Sequence, residues 1–273
     1  MYKLMTLETG FFLADGGAMF GAVPKRAWSK KYPADEHNLC RLAMRCVLAV
    51  SNTRKVIIDT GIKHENIKKF SYYGFHDVKQ IDECIAEFGL QVEDITDVVL
   101  THFHFEHCGA STRQEKNGQW VPMFPNAQYW ASRTQWDVAH NPGPLEMDSF
   151  FKEDFEPMYD AGQITLLNDS YAIDPSFRIK IFDGHTPGQV ACYIDGEEGN
   201  YLIPGDVIPT AVNVPLRWVS AYDINAEASV KSKIEMLEDA VREDRELIFF
   251  HDAYTKSAKV TKSGDMFMVK KTS

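Results

Sequence analysis

The six residues from His102 to His107 constrain this chain more than any other segment. They read His-Phe-His-Phe-Glu-His and follow closely after the apolar run Ile95 to Leu100. Imidazole and carboxylate groups are common protein ligands for zinc and neighbouring transition metals. Three imidazoles and one carboxylate in so short a segment therefore indicate a metal site held at the end of a buried strand.

Length and charge narrow the class of protein. The 273 residues contain no tract typical of a linker, a repeat or a low-complexity segment, so we expect one domain spanning residues 1–273. A formal net charge of −10 argues against a general affinity for the nucleic-acid backbone, which requires clustered Lys and Arg side chains. We therefore expect the partner to be a small-molecule substrate and not a nucleic acid.

Three features bear on where the protein works. The segment from Met1 to Phe12 lacks the apolar stretch of a secretory signal, and no segment has the apolar length needed to cross a bilayer. The five cysteines form no Cys-x-x-Cys pair and are typical of reduced thiols. We expect a cytoplasmic protein that does not act at a membrane.

Short apolar runs rich in β-branched residues predict strands, and apolar spacings of three and four predict helices. Mixed elements of this kind favour layers of sheet and helix. The predicted strands are Met44 to Val50, Lys55 to Ile58, Asp97 to Leu100, Gln128 to Trp130, Ile179 to Phe182, Ala191 to Ile194, Tyr201 to Ile203 and Leu247 to Phe250. The predicted helices are Asp77 to Phe88, Ser132 to about Ala139, and Asn225 to Glu243.

A potential metal ligand follows five of these predicted strands within about three residues. Loops that leave strand ends converge at one edge of a sheet, and such rigid platforms suit metal ligands, which must be held at fixed distances. Each of these residues alone would more often be structural, but the repetition favours a shared site. The five residues are Asp59, His102, His185, Asp206 and His251.

Five segments in this order resemble the metallo-β-lactamase superfamily. They are Ile58-Asp59-Thr60-Gly61, Thr101 to Gly109, Gly184-His185-Thr186-Pro187-Gly188-Gln189, Gly205-Asp206 and Phe250-His251-Asp252. The resemblance implies an α+β fold, a four-layer αββα sandwich in which two mixed sheets face each other and the metals lie at one edge. The N-terminal stretch from Asp15 to Trp28 is similar to that of the lactonase-like and organophosphate-hydrolase-like branch.

The resemblance also implies a role for each ligand. One metal would be bound by His102, His104 and His185, and a second by Glu106, His107 and His251. Asp206 would bridge both metals and carry a proton during catalysis, and Asp59 would orient a ligand through a hydrogen bond. The cofactors would be two divalent metal ions, with zinc expected and iron or manganese as alternatives. A single metal, with the remaining residues as hydrogen-bond partners, is the other reading.

Glu106 is the main departure from the family pattern, which has Asp at this position. The extra methylene moves the carboxylate by about 1.5 Å, which is large for a metal ligand and puts the second metal in question. Cys108 follows the cluster directly and is expected to pack rather than to bind metal.

The expected reaction is hydrolysis of an ester-like bond, a lactone or a carboxylic ester, by a metal-bound hydroxide. The family's lactonases carry a tyrosine shortly after the bridging Asp, whereas Val207-Ile208-Pro209-Thr210 stands here; Tyr222 or Tyr254 is the candidate substitute. Alternatives are a phosphotriester hydrolase of the same fold and a metal-binding protein that has lost catalysis.

Two segments are candidates for the walls of the site. Met19, Phe20 and Trp28 are candidate substrate contacts from the N-terminal stretch, although packing against the sheet or a partner subunit is an equal alternative. The segment from Asn141 to Phe155 is a candidate second wall. If these side chains pack against a partner subunit, the protein would be a homodimer.

Overall fold

The computed structural model describes residues 1–270, which form fifteen strands and eight α-helices. The strands, in chain order, are β1 Lys3–Asp15, β2 Leu39–Val50, β3 Lys55–Ile58, β4 Asp97–Val99, β5 Thr112–Gln114, β6 Trp120–Pro122, β7 Gln128–Ser132, β8 Ile164–Leu167, β9 Tyr171–Asp174, β10 Phe177–Phe182, β11 Gln189–Asp195, β12 Asn200–Ile203, β13 Arg245–Ile248, β14 Ser257–Ser263 and β15 Met266–Val269. The helices are α1 Gly16–Phe20, α2 Lys25–Trp28, α3 His64–Lys69, α4 Ile81–Ala86, α5 Phe105–Cys108, α6 Arg133–His140, α7 Lys152–Asp160 and α8 Ala226–Arg242.

Two large mixed sheets form the centre of the fold. The first has the strand order β1-β2-β3-β4-β7-β8, and the second has the order β15-β14-β13-β12-β11-β10-β9. β5 and β6 form a separate hairpin-like pair. All eight predicted strands are present, with ends that shift by a few residues. The last of them ends at Ile248, so that Phe249 and Phe250 already belong to the loop that carries His251.

Three buried clusters show that the sheets and helices stack in four layers. One cluster lies between the two sheets and joins Val47 and Ile58 of the first to Ile179 and Ile203 of the second. A second cluster packs α4, α6 and α7 on the outer face of the first sheet, and a third packs α8 on the outer face of the second. The predicted αββα sandwich is confirmed. Within residues 1–270, no helix is long and apolar enough to span a membrane.

Local chemistry explains where two predicted helices begin. The helix predicted from Asp77 starts only at Ile81, because Asp77 has a positive φ of 52°. The Glu83 side chain accepts a hydrogen bond from the Gln80 N–H, which completes a capping box at the new start. α6 begins directly after Ser132, whose hydroxyl accepts the Gln135 N–H.

The long N-terminal strand β1 is absent from the prediction. It pairs antiparallel with β2 along its whole length, with a register shift between Glu8 and Gly10. That irregularity interrupts the alternation of buried and exposed residues on which strand prediction depends. The sequence pattern therefore does not predict β1, and its pairing with β2 in the structure identifies it as a strand.

Strand direction brings the predicted ligands to one edge. β3 and β4 run parallel, so Asp59 and His102 leave the first sheet side by side. β12 and β13 also run parallel, which places Asp206 and His251 together at the end of the second sheet. Backbone hydrogen bonds from Val190 to Thr101 and from Ala43 to His251 tie these strand ends to each other across the sheets.

Candidate metal centre

All seven predicted ligands lie together at this edge, in two adjoining groups. Within each group the candidate ligand atoms are within 4.8 Å of one another. The first group is His102, His104 and His185; the second is Glu106, His107, Asp206 and His251. The partition matches the one that the family resemblance implies, and every member except Glu106 is fully buried.

The first group presents nitrogen atoms to a common point. His104 Nδ1 lies 3.3 Å from His185 Nε2, and the His102 ring centre is 4.5 Å from that of His104. Burial lowers the pKa of His102 and of His104, and the neighbouring imidazoles lower the pKa of His102 further. Neutral imidazole is the form that can ligate a cation.

The second group is built around Asp206. Asp206 Oδ2 lies 3.0 Å from His251 Nε2 and 3.4 Å from His107 Nε2, and 3.7 Å from His185 Nε2 of the first group. Burial alone would raise the pKa of Asp206, but the imidazoles of His251 and His107 hold it well below its usual range. Asp206 is thus an ionised carboxylate that faces both groups, the position of a bridging ligand.

Outward hydrogen bonds to a carboxylate or a carbonyl fix the ring orientation of three of the five histidines. His107 Nδ1 donates to Asp59 Oδ2 at 2.8 Å, His251 Nδ1 donates to the Ala43 carbonyl at 2.8 Å, and His185 Nδ1 donates to Asp223 Oδ1 at 3.2 Å. In each case the Nε2 lone pair is left facing the site. Such outer partners set the tautomer and raise the basicity of a ligating imidazole.

Asp59 has the strongest set of these outer contacts. Its Oδ1 accepts the Thr101 N–H at 2.7 Å, and its Oδ2 accepts the Thr101 hydroxyl at 2.6 Å as well as His107 Nδ1. The same hydroxyl lies 3.0 Å from His102 Nδ1 and can accept its proton. Asp59 adopts a left-handed backbone conformation with φ of 57°, which is uncommon outside glycine. Asp59 therefore contacts His107 of the second group directly and reaches His102 of the first group through the Thr101 hydroxyl.

Orphaned polar atoms test whether metal ions fit this arrangement. Among the described residues, His102 Nε2, Asp206 Oδ1 and Glu106 Oε2 are buried without any hydrogen-bond partner. His107 Nε2 and His251 Nε2 face each other at 3.1 Å, although each ring donates its other N–H elsewhere. Buried unpaired atoms and opposed lone pairs are costly in a protein alone. Divalent cations satisfy all of them, so the donor set fits two metal ions.

Glu106 joins the second group despite its longer side chain. It lies at the start of α5, one residue before His107, and its Oε1 is 3.9 Å from His107 Nε2. Its side chain is 19% exposed, so it is less restrained than the other ligands. Cys108 is buried, and its thiol contacts the Phe103 carbonyl instead of either group, as expected for a packing residue.

Two carboxylates beside the metal groups are absent from the sequence prediction. Asp223 binds His185 as described above, and Glu146 lies 3.6 Å from His104 Nε2 while accepting the Thr186 hydroxyl at 2.8 Å. Each is separated from its histidine by about forty residues and is part of no motif. The two carboxylates reach their histidines only because the 141–149 and 209–224 segments fold over the strand ends.

A cavity of about 190 Å³ opens above the two groups. Of the residues predicted to contact substrate, Met19 and Tyr222 line it, whereas Phe20 and Trp28 do not and are buried in a cluster that also contains Met19. Tyr254 is exposed and makes an edge-to-face contact with the Tyr32 ring instead. The apolar and aromatic part of the wall consists of Phe12, Ala14, Met19, Tyr73, Phe75, Phe105, Leu145, Pro209, Ala221, Tyr222 and Ile224.

The predicted second wall is present in part. From the 141–155 segment, Leu145, Glu146 and Ser149 line the cavity. Phe150 packs behind it, with its ring centre 5.1 Å from that of His104. The phenylalanines of this segment therefore support the site from behind rather than contacting the cavity.

Comparison with known proteins agrees with this geometry. Residues 45–251 match the metallo-beta-lactamase superfamily, and the chain belongs to that family. It is therefore a metal-dependent hydrolase of this fold, related at low identity to lactonases. The match contains every residue of the two metal groups and ends at the last of them, His251.

Three relatives illustrate the relationship. N-acyl homoserine lactonase AiiA of Bacillus thuringiensis subsp. kurstaki is 22% identical over 227 residues, which cover 78% of this chain and 83% of the relative. A probable metal-dependent hydrolase from Staphylococcus aureus superimposes with a TM-score of 0.86 at 25% identity, covering 99% of this chain and 98% of that one. The dizinc quorum-quenching lactonase AidC superimposes with a TM-score of 0.78 at 17% identity, covering 100% and 95%.

Proposed function

We propose that this protein hydrolyses uncharged esters, lactones first among them, with two zinc ions as its cofactors. The observation that carries the proposal is that two ligand groups lie at the base of a cavity whose remaining wall is mostly apolar and aromatic. The lactonase relatives support the choice of a cyclic ester over other acyl compounds.

The charge of the cavity favours a neutral substrate. Within the described part of the chain, the residues that line it include four carboxylates and no lysine or arginine. These are Glu106, Glu146, Asp206 and Asp223. Substrates that bear a carboxylate or phosphate normally meet Arg or Lys side chains in their sites. Two divalent cations would bring four positive charges, which these four carboxylates offset. A site with this charge balance suits an uncharged lactone or simple ester.

The chain's own residues supply proton handling and orientation. When bound, divalent cations in the two groups acidify water and polarise a carbonyl oxygen. Asp206, an ionised carboxylate that faces both groups, would take a proton from the attacking water and return it to the leaving oxygen. Asp59, Asp223 and the Ala43 carbonyl hold the imidazoles so that their free nitrogens stay aimed at the site.

Tyr222 is the proposed substrate contact on the wall. No tyrosine stands shortly after Asp206, where the family resemblance leads us to expect one. Pro209, three residues after Asp206, lines the cavity but has no hydrogen-bond donor. A tyrosine hydroxyl must therefore come from another segment. Tyr222 lines the cavity together with Asp223 and is 40% exposed. Its hydroxyl is the proposed donor to the carbonyl or leaving oxygen of the substrate.

The test is a substrate panel on the zinc-reconstituted enzyme. We expect turnover of lactones and neutral aryl esters that disappears with a chelator and returns with zinc. A phosphotriester belongs in the panel, because it is also uncharged and would reveal the alternative activity. Stoichiometric metal binding with no turnover of any lactone, ester or phosphotriester would refute the proposal and leave a metal-binding protein.

Two further expectations belong to this proposal. All five cysteines are buried and free, which supports a reducing compartment such as the cytoplasm. Exposed apolar side chains in the segments that line the cavity, Tyr72, Leu145 and Met147, support a homodimer. Sedimentation of the purified chain tests the second point, and a monomer at all concentrations would contradict it.

A further inference from the structure

His104 differs from the other histidines of the site in how it is oriented. Its Nδ1 faces His185 within the first group, so its Nε2 points away from the cations that the group would hold. Among the described residues, Nε2 is buried with no hydrogen-bond partner. When a cation occupies Nδ1, the proton must sit on Nε2, and a buried N–H without an acceptor is unfavourable.

The carboxylate of Glu146 is the nearby acceptor for His104 Nε2. Glu146 Oε2 lies 3.6 Å from His104 Nε2, slightly beyond hydrogen-bond distance. The carboxylate is buried at 6% exposure, and its contact with the Thr186 hydroxyl at 2.8 Å fixes its direction. Its burial is unusual for this segment, because its neighbours Leu145 and Met147 are 80% and 56% exposed.

Few other contacts hold the 141–149 segment to the site. Its backbone bonds are local, as in Glu146 N–H to Gly143 and Ser149 N–H to Glu146. Gly143 has no neighbouring atom within contact distance of an added Cβ. A segment with so few buried contacts has a low local opening free energy. Its order therefore depends strongly on the one inward-facing carboxylate.

We propose that Glu146 is a positioning residue that couples metal binding at His104 to the order of the cavity wall formed by residues 141–149. A cation on Nδ1 makes the Nε2–H a stronger donor, and the contact with Glu146 becomes a charge-assisted hydrogen bond. Because binding free energies are linked reciprocally, a more ordered wall raises metal affinity by the same factor. This inference rests on the metal sites of the proposed function but not on its substrate.

The first measurement uses the wild-type chain. Hydrogen exchange of residues 142–148 is followed in the zinc-loaded and the chelated protein. We expect exchange in this segment to be about 10-fold slower when zinc is bound. An outer hydrogen-bond partner changes metal affinity by at least about this factor, and linkage requires the same factor in the opening equilibrium of the segment. Equal exchange in both states would overturn the coupling, whether or not the enzyme turns over any substrate.

The second measurement compares two variants that make the same charge change. Glu146→Gln keeps the size of the side chain but removes the ionised acceptor, while Asp148→Asn changes an exposed residue of the same segment. We expect Glu146→Gln to weaken zinc binding about 10-fold in chelator competition and to abolish the zinc-dependent protection. Asp148→Asn should retain both properties.

The two proposals fail separately. Wild-type zinc affinity in Glu146→Gln would make Glu146 a packing residue and overturn this inference, even if lactones are hydrolysed. Weaker zinc binding with unchanged zinc-dependent exchange would overturn the coupling to the wall. An absence of turnover on every ester would refute the proposed function without altering either metal measurement.

Discussion

Replacement of Asp59 by Asn isolates how a residue outside the metal groups sets metal affinity. In the wild type, Asp59 accepts three hydrogen bonds, from the Thr101 N–H, the Thr101 hydroxyl and His107 Nδ1. Asn has one acceptor oxygen and one NH₂ donor. If its oxygen stays on the Thr101 N–H, its NH₂ meets His107 Nδ1 and favours the tautomer with the proton on Nε2. That tautomer cannot ligate through Nε2.

The structure limits the effect mainly to one metal. His107 belongs to the second group, so we expect zinc affinity there to fall by 10–100-fold, about 1.4–2.7 kcal/mol. The first group should keep its zinc, although the Thr101 hydroxyl beside His102 Nδ1 will transmit a smaller loss. Asp59→Asn should thus turn a protein with two tight sites into one with a tight site and a weak site.

The assay is zinc titration against a chromophoric chelator, together with elemental analysis after gel filtration. Asp97→Asn is the matched control, because Asp97 is equally buried and hydrogen bonded but lies at the opposite end of β4 from His102. Two tightly bound zinc ions in Asp59→Asn would refute the reasoning and make Asp59 a structural residue with no effect on metal affinity. Equal loss in both variants would mean that general destabilisation is responsible.

Three other predictions concern single side chains. His104→Ala should lose the zinc of the first group and nearly all turnover, and full metal content with retained activity would contradict the assignment. Tyr222→Phe should lower turnover of lactones by about 10-fold or more at unchanged zinc content, as expected for loss of a hydrogen bond that stabilises a transition state; unchanged kcat/KM would remove Tyr222 from the reaction. Burial lowers the pKa of Lys233 from 10.5 to about 8, against the opposing charge of Asp223. Folding therefore releases a proton above pH 8, so wild-type stability should rise relative to Lys233→Met by about 2 kcal/mol between about pH 8 and 9.5. Chemical unfolding measures this rise, and exposed Lys231→Met serves as the control. A difference independent of pH would show that burial does not lower the pKa of Lys233 and that it carries the same charge in the folded and unfolded chains.

The predictability of the fold follows the strength of local patterns. Val56-Ile57-Ile58 and Val98-Val99-Leu100 are continuous apolar runs, and both are central strands buried from each side. The alternation in β1 is broken at Gly10, where the register shifts, and no local pattern marks it. The early start predicted for α4 fails because the positive φ of Asp77 and the capping by Glu83 decide where the helix begins.

The residues of the candidate site also differ in how far a local sequence pattern reveals them. Four ligands, from His102 to His107, stand within one short segment, and their spacing indicates a metal site without further information. His185, Asp206 and His251 are single residues that gain meaning only from their order after strands and from the family resemblance. Glu146 and Asp223 were missed because their partners, His104 and His185, are distant in sequence and their contacts come from loops.

By itself the sequence determined that this chain binds metal and layers sheets with helices, because ligand spacing and apolar periodicity are local properties. The tertiary structure decided which imidazole nitrogens face inward, since tautomers depend on Asp59, Asp223 and a carbonyl contributed by β2. It also decided the charge and shape of the cavity. Those depend on where the 141–149 and 209–224 segments cross the strand ends, and the contacts responsible join residues too far apart in the chain for any local pattern to record.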